Sequence, residues 1–187
     1  GVIKRIIPKD IPNVDICIND RPKRAKVLVL FLSENNSGIE EILKFKTIDE
    51  YGRNNYRMPL KAIDYHKQRL KKIIVACSEK SHGDRDKFLK CVQNLFGKEL
   101  ADMTNVRCIK NFEDAKSVYK FLESVYSQLG QEGFTEDDIV FDVTGGQKAI
   151  SIAGAMFAIP NDRHLQYVST SDYTVKHYDL TYMQNEE

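Results

Sequence analysis

The sequence predicts an α/β protein: a doubly wound, mostly parallel sheet with helices on both faces, closed by a C-terminal antiparallel hairpin. Three observations carry this. Short apolar runs alternate with stretches of helical period, the pattern of successive strand–helix–strand units. The strongest runs, KVLVLFLS at 26–33 and IIVACS at 73–78, are apolar almost throughout, as in strands buried on both faces. The last two runs, at 165–170 and 175–180, lie only about four residues apart, which suits a hairpin and not a crossover helix. Together these describe a Rossmann-like architecture.

The 187 residues suit one compact domain, which we expect over residues 26–187 behind a lead-in at 1–25. The lead-in holds Pro8, Pro12 and Pro22, the cations Lys4, Arg5, Lys9, Arg21, Lys23 and Arg24, and an alternating piece, Val14-Asp15-Ile16-Cys17-Ile18, that suits one edge strand. After the first apolar strand comes a polar loop, Glu34-Asn35-Asn36-Ser37-Gly38, and then a stretch at 39–57 that follows neither period. Pro59 opens a helix with Leu60, Ile63, Lys67 and Leu70 on one face. Beyond the strand at 73–78, Asp84 is placed to cap a helix bearing Phe88, Cys91, Val92, Leu95 and Phe96. A short strand at 106–109 leads to a helix capped by Asn111, carrying Ala115, Val118, Tyr119, Leu122, Val125, Tyr126 and Leu129, and stopped by Gly130. The fourth parallel strand is 139–143. The helix after it has no charge between Lys148 and Asp162, which predicts a central, buried helix.

Composition narrows the function. The formal net charge is +1, so no global field draws duplex nucleic acid, and any anion must be captured locally. Cys17, Cys77, Cys91 and Cys108 form no C-x-x-C pair. Cys77 and Cys91 fall inside apolar patterns, so we expect core thiols in a reducing, cytoplasmic compartment. His66, His82, His164 and His177 form no cluster, and no structural metal is expected. No apolar run is long enough to span a bilayer.

Chemistry concentrates in two loops. In a doubly wound sheet, ligands bind at the carboxyl ends of the strands where strand order reverses. The loops after the first and fourth parallel strands flank that crevice. The latter reads Asp142-Val143-Thr144-Gly145-Gly146-Gln147-Lys148. Two glycines let the backbone approach a ligand closely, and the following helix start offers N–H groups to an anion. Thr144 adds a hydroxyl. Lys148 opposes the helix dipole, which an anion nearby would explain. The Gly-Gly pair alone would be a plain tight turn with a solvated lysine. Strand, Thr-Gly-Gly, lysine and helix together favour a site. Neither G-x-x-x-x-G-K-[ST] nor G-x-G-x-x-G is present, and no cofactor is expected. The other loop supplies Ser33, Glu34, Asn35 and Asn36, whose amides and hydroxyls suit phosphate oxygens or base edges. The loop after the fifth parallel strand adds Ser169 and Thr170, with Tyr173 able to stack on a base.

The run from Asp142 to Lys148, followed by Ala149-Ile150-Ser151-Ile152, resembles the most diagnostic stretch of CARF (CRISPR-associated Rossmann fold) domains. There it reads Asp-x-Thr-Gly-Gly-x-Lys. The likeness extends over residues 26–180, with a specific motif only near 140–152. It implies a homodimer that binds a cyclic oligoadenylate across its two-fold axis, cyclic tetra-adenylate first and cyclic hexa-adenylate second, in type III CRISPR defence. It implies no catalytic residue of its own. A ring of phosphates calls for N–H donors, hydroxyls and a lysine, which this loop has.

Family members commonly fuse this sensor to an effector. A HEPN ribonuclease needs an Arg four to six residues before a His, and none of the four histidines has one. The chain begins with Gly1, and its lead-in is basic. We therefore expect an upstream segment, a transmembrane helix with residues 1–25 as juxtamembrane linker at the cytoplasmic face of the inner membrane. A plain linker or edge strand accounts for the lead-in equally well. The enzymatic alternative is a stand-alone ring nuclease, in which the ligand's own 2′-hydroxyl attacks the adjacent phosphate and the protein orients it. Both readings stay open at this level.

Overall fold

The computed structural model of the protein describes residues 13–183. Strands β1 (Asn13–Asn19), β2 (Val27–Leu32), β3 (Lys72–Cys77), β4 (Thr104–Cys108), β5 (Ile139–Asp142), β6 (His164–Val168) and β7 (Val175–Met183) form one sheet in the order β1-β7-β6-β5-β2-β3-β4. The five strands from β2 to β6 pair in parallel. β7 runs antiparallel to β6, and β1 antiparallel to β7. The architecture is therefore the mixed, Rossmann-like one expected. β1 falls on the alternating piece of the lead-in and takes the outer edge, so the C-terminal hairpin is an inner pair.

The helices are α1 (Ile39–Ile42), α2 (Arg57–His66), α3 (Arg85–Phe96), α4 (Lys98–Asp102), α5 (Ala115–Gln131) and α6 (Lys148–Ala158). Side-chain alternation along β2 separates two cores. Leu28, Leu30 and Leu32 pack with Leu60 and Ile63 of α2 and with Phe88 and Val92 of α3. Val27, Val29 and Phe31 face the other way, onto Val118, Leu122 and Val125 of α5 and Ile150 and Phe157 of α6. Because both faces of β2 are covered, its run is apolar without alternation. Cys77 and Cys91 are core thiols, and burial pushes Cys77 up to about 12.

Several local expectations are corrected. Asp84 stands at the start of α3 but does not cap it. Its carboxylate accepts the Asn35 amide at 2.8 Å and pairs with Lys87 at 2.9 Å. Asn111 closes a turn onto the Glu113 amide, and Asp114 caps α5 instead. α5 runs through Gly130, and the left-handed residue that follows it is Gly133. α2 ends at His66, four residues before Leu70. The edge strand β4 spans Thr104–Cys108, earlier than expected, because an edge strand needs no continuous apolar run. α6 is not buried on every side: Ile152 and Met156 are 56% and 62% exposed. Its apolar outer face has no cover within the described part of the chain.

A candidate ligand site at the switch point of the sheet

β2→β3→β4 builds the sheet in one direction and β5→β6 in the other, so strand order reverses between β2 and β5. The loop leaving β5 is held down from three sides. Asp142 accepts the Thr144 amide at 2.8 Å, Gln166 accepts the Val143 amide, and the Thr144 hydroxyl accepts the Val168 amide at 2.6 Å. The chain then lies directly on the end of β2. A Cβ added at Gly145 would sit 1.9 Å from the Phe31 carbonyl oxygen, so only glycine fits. Gly146 has φ +103°, and its amide donates to the Ser33 hydroxyl at 3.0 Å. That contact joins the two loops singled out in the sequence. α6 follows with no side-chain cap at its start, leaving its end open to an acceptor from outside.

The loop leaving β2 is equally braced. The buried Asn35 donates to Asn54 at 2.7 Å and accepts the Ser37 amide at 3.0 Å. Lys87 donates to the carbonyls of Asn35 and Ser37. Asn35 thus spends its side chain on Ser37 of the loop and on Asn54 beside it, while Ser33 keeps its hydroxyl proton for another acceptor. Glu34 and Asn36 are exposed. Buried Asp142 is pushed up by desolvation and pulled back by donors from Thr144 and Gln166.

A cavity of about 620 Å³ opens at this end of the sheet. Of the expected residues, Ser33, Glu34, Gly146 and Gln147 line it. Asn35, Asn36, Thr144, Gly145 and Lys148 stand in the flanking loops and helix start and not in its wall. Ser169 and Thr170 lie at the end of β6, on the far side of β5 from β2. There Ser169 is buried, bonded to Ser171 and to the Thr174 carbonyl, and Thr170 is exposed. The Tyr173 ring is stacked under the Arg57 guanidinium at 3.5 Å. The rest of the wall is Leu32, Phe112 and two loops outside the expected site: Ser78, Glu79 and Lys80 after β3, and Lys110, Asn111 and Glu113 after β4. The rule that ligands sit beyond the carboxyl ends of strands applies to those loops too, and their polar residues were the available signal.

The wall carries Lys80 and Lys110 against Glu34, Glu79 and Glu113. Charge alone therefore does not select a polyanion. N–H groups and hydroxyls near the β5 loop suit phosphate, and the carboxylates suit amino or hydroxyl donors of a nucleoside. Among the described residues, no group of three His, Cys, Asp or Glu could hold a metal ion, and no helix is long and apolar enough to cross a membrane.

No family model matches the chain. A protein of Aquifex aeolicus (strain VF5), described as uncharacterized, is 29% identical over 185 residues. Two solved structures share the fold. Can2 from Sulfobacillus thermosulfidooxidans, in complex with cyclic tetra-adenylate, superposes with a TM-score of 0.53 at 12% identity over 87% of this chain. Csm6 from Enterococcus italicus, bound to cyclic hexa-2′-fluoro-hexa-dAMP, gives 0.56 at 13% identity, also over 87%. The fold is CARF-like. The Aquifex alignment covers 89% of this chain but only 59% of that relative, and this chain covers 36% of each solved one.

Proposed function

We propose that this chain is a receptor for a cyclic oligoadenylate, with cyclic tetra-adenylate as first ligand and cyclic hexa-adenylate as second, held across a homodimer in the cytoplasm. Its role in this reading is to regulate an effector of type III CRISPR antiviral defence. The observation that carries it is the Thr144–Gly146 loop, laid on the Phe31 carbonyl and tied to Ser33 beside an open helix start. Two solved proteins of this fold hold cyclic adenylates, which supports the ligand class. Lys148, Ile152 and Met156 are spaced by four and share one face of α6. A partner on that apolar face brings two copies of Lys148, and two copies of the loop, close to one axis. An isologous dimer around a ring follows.

Calorimetry with both rings tests this. We expect about one ring per two chains. One ring per chain, or no heat with either ring, overturns the reading. Lys148→Ala should weaken binding about tenfold or more, as for a hydrogen bond to a charged group. The difference should shrink at high salt.

A further inference from the structure

Buried polar groups need partners, and a chain of them has a direction. One such chain runs between α2 and the sheet. The Ala25 amide donates to Nδ1 of His66 at 2.9 Å. Nε2 of His66 lies 2.7 Å from Oε1 of Gln166, and Nε2 of Gln166 donates to Oδ2 of Asp142 at 2.9 Å. Oδ1 of Asp142 takes the Thr144 amide. His66, Gln166 and Asp142 are 0%, 1% and 3% exposed, so bulk water cannot stand in for a lost partner.

The two ends fix the direction. A backbone amide only donates, so Nδ1 of His66 accepts and the neutral ring carries its proton on Nε2. That proton turns the Gln166 oxygen towards His66 and its NH₂ towards Asp142. A carboxylate only accepts, and it closes the chain by taking Thr144 as well. Every member is matched, and the Gln166 amide cannot turn over without setting two donors face to face at His66 and two acceptors face to face at Asp142.

The ends also lie at different places. Thr144 opens the loop that carries Gly145 and Gly146. Ala25 leads into β2, at the opposite end of the sheet. We propose that His66 and Gln166 are positioning residues which, acting through Asp142, hold the Thr144–Gly146 loop in its ligand-receiving shape and tie it to the chain at Ala25. The word ligand here rests on the cyclic-oligoadenylate reading of that loop.

The test uses the polarity of the chain. Gln166→Glu sets two carboxylates against each other wherever both are ionised, so its exchange is compared at the alkaline end of the range in which the protein stays folded. Asp142→Asn sets an amide donor against a donor, at Gln166 or at Thr144. The double variant is matched again: the introduced carboxylate accepts from His66 and from the introduced amide, whose oxygen takes Thr144. Shapes and net charge are unchanged. Hydrogen exchange at the Thr144 amide should be about tenfold faster in each single variant and return to within about threefold in the double. Affinity for cyclic tetra-adenylate should follow the same order. Nitrogen NMR of the wild type should show His66 protonated on Nε2, a readout that needs no variant to fold. The Nδ1-protonated tautomer, or a double variant no better than the worse single, overturns the proposal. If the wild type binds neither ring, the ligand reading falls, while tautomer and exchange rates still decide whether the chain positions the loop.

Discussion

His66 shows how one residue's surroundings set its protonation. Its ring is fully buried, edge-on to Tyr65 at 4.9 Å, with Arg24 nearby. Burial lowers its pKa from 6.5 to about 4; the bond to Gln166 pulls it back up, and the charge of Arg24 adds to the lowering. Protonation would also turn Nδ1 into a donor facing the Ala25 amide. Between pH 6.5 and about 4 the unfolded chain binds a proton here that the folded chain refuses. Stability from this group is therefore complete above pH 6.5 and is lost as the pH falls through that window, to a total of about 3 kcal/mol. Urea unfolding from pH 7.5 downwards should show the decline, and His66→Gln should flatten it. A wild-type slope no steeper than the variant's would refute the assignment. In the ligand loop itself Gly145 and Gly146 are as tightly constrained: the Phe31 carbonyl forbids a side chain at the first, and a φ of +103° disfavours one at the second.

At the scale of elements, α6 carries the next expectation. Its inner face holds Ile150, Ala153, Gly154 and Phe157 against the sheet, while Ile152 and Met156 point outwards. In a dimer that uses this face, a carboxylate there must be desolvated or must force the partner away. Ile152→Glu and Met156→Glu should therefore give monomers in sedimentation velocity and lose ring affinity at least about tenfold. Their chemical stability should move by only about 0.5 kcal/mol, as for exposed positions. Dimers that persist in both variants would exclude this face. The same helix marks a limit of reading sequence. A helix apolar on all sides is read as central, yet the same pattern describes one whose outer face waits for a second chain. Strands were legible because β2, β3 and β5 are buried on both sides and have no polar interruption. Caps were less so: Asp84 is drawn off by the Asn35 amide, a contact across about fifty positions of sequence that no local pattern records, and by Lys87 one turn along. At the site, Gly145 and Gly146 were visible because close approach demands glycine. The walls from Ser78–Lys80 and Lys110–Glu113 were not, since their closeness depends on strand order alone.

Over the whole molecule, the ligand cavity and the four histidines lie apart. His164 begins β6 at the end of the sheet away from the cavity, where its ring meets His177 at 5.2 Å and its Nε2 meets Asp137 at 3.0 Å. His66 is locked in the buried chain, and His82 sits against Arg85 at the start of α3. None of these four histidines lines the cavity. Opening a cyclic oligoadenylate requires its 2′-hydroxyl to lose a proton as it attacks the phosphate, and the 5′-oxygen to gain one as it leaves. A positioned general base and acid contribute about a hundredfold to ten-thousandfold to such a step. Donors near the β5 loop can still steady phosphate charge, and with no histidine in the wall the carboxylates and lysines there (Glu34, Glu79, Glu113, Lys80 and Lys110) are the groups left to move a proton, so we expect a slow reaction. We therefore expect the ring to survive for minutes at a ring-to-protein excess, with chromatography showing intact ligand. Rapid, multiple-turnover release of linear adenylates ending in a cyclic phosphate would make this chain a ring nuclease. On the receptor reading, an intact ring would make the response depend on ligand concentration and on the difference in affinity between two arrangements of the proposed dimer.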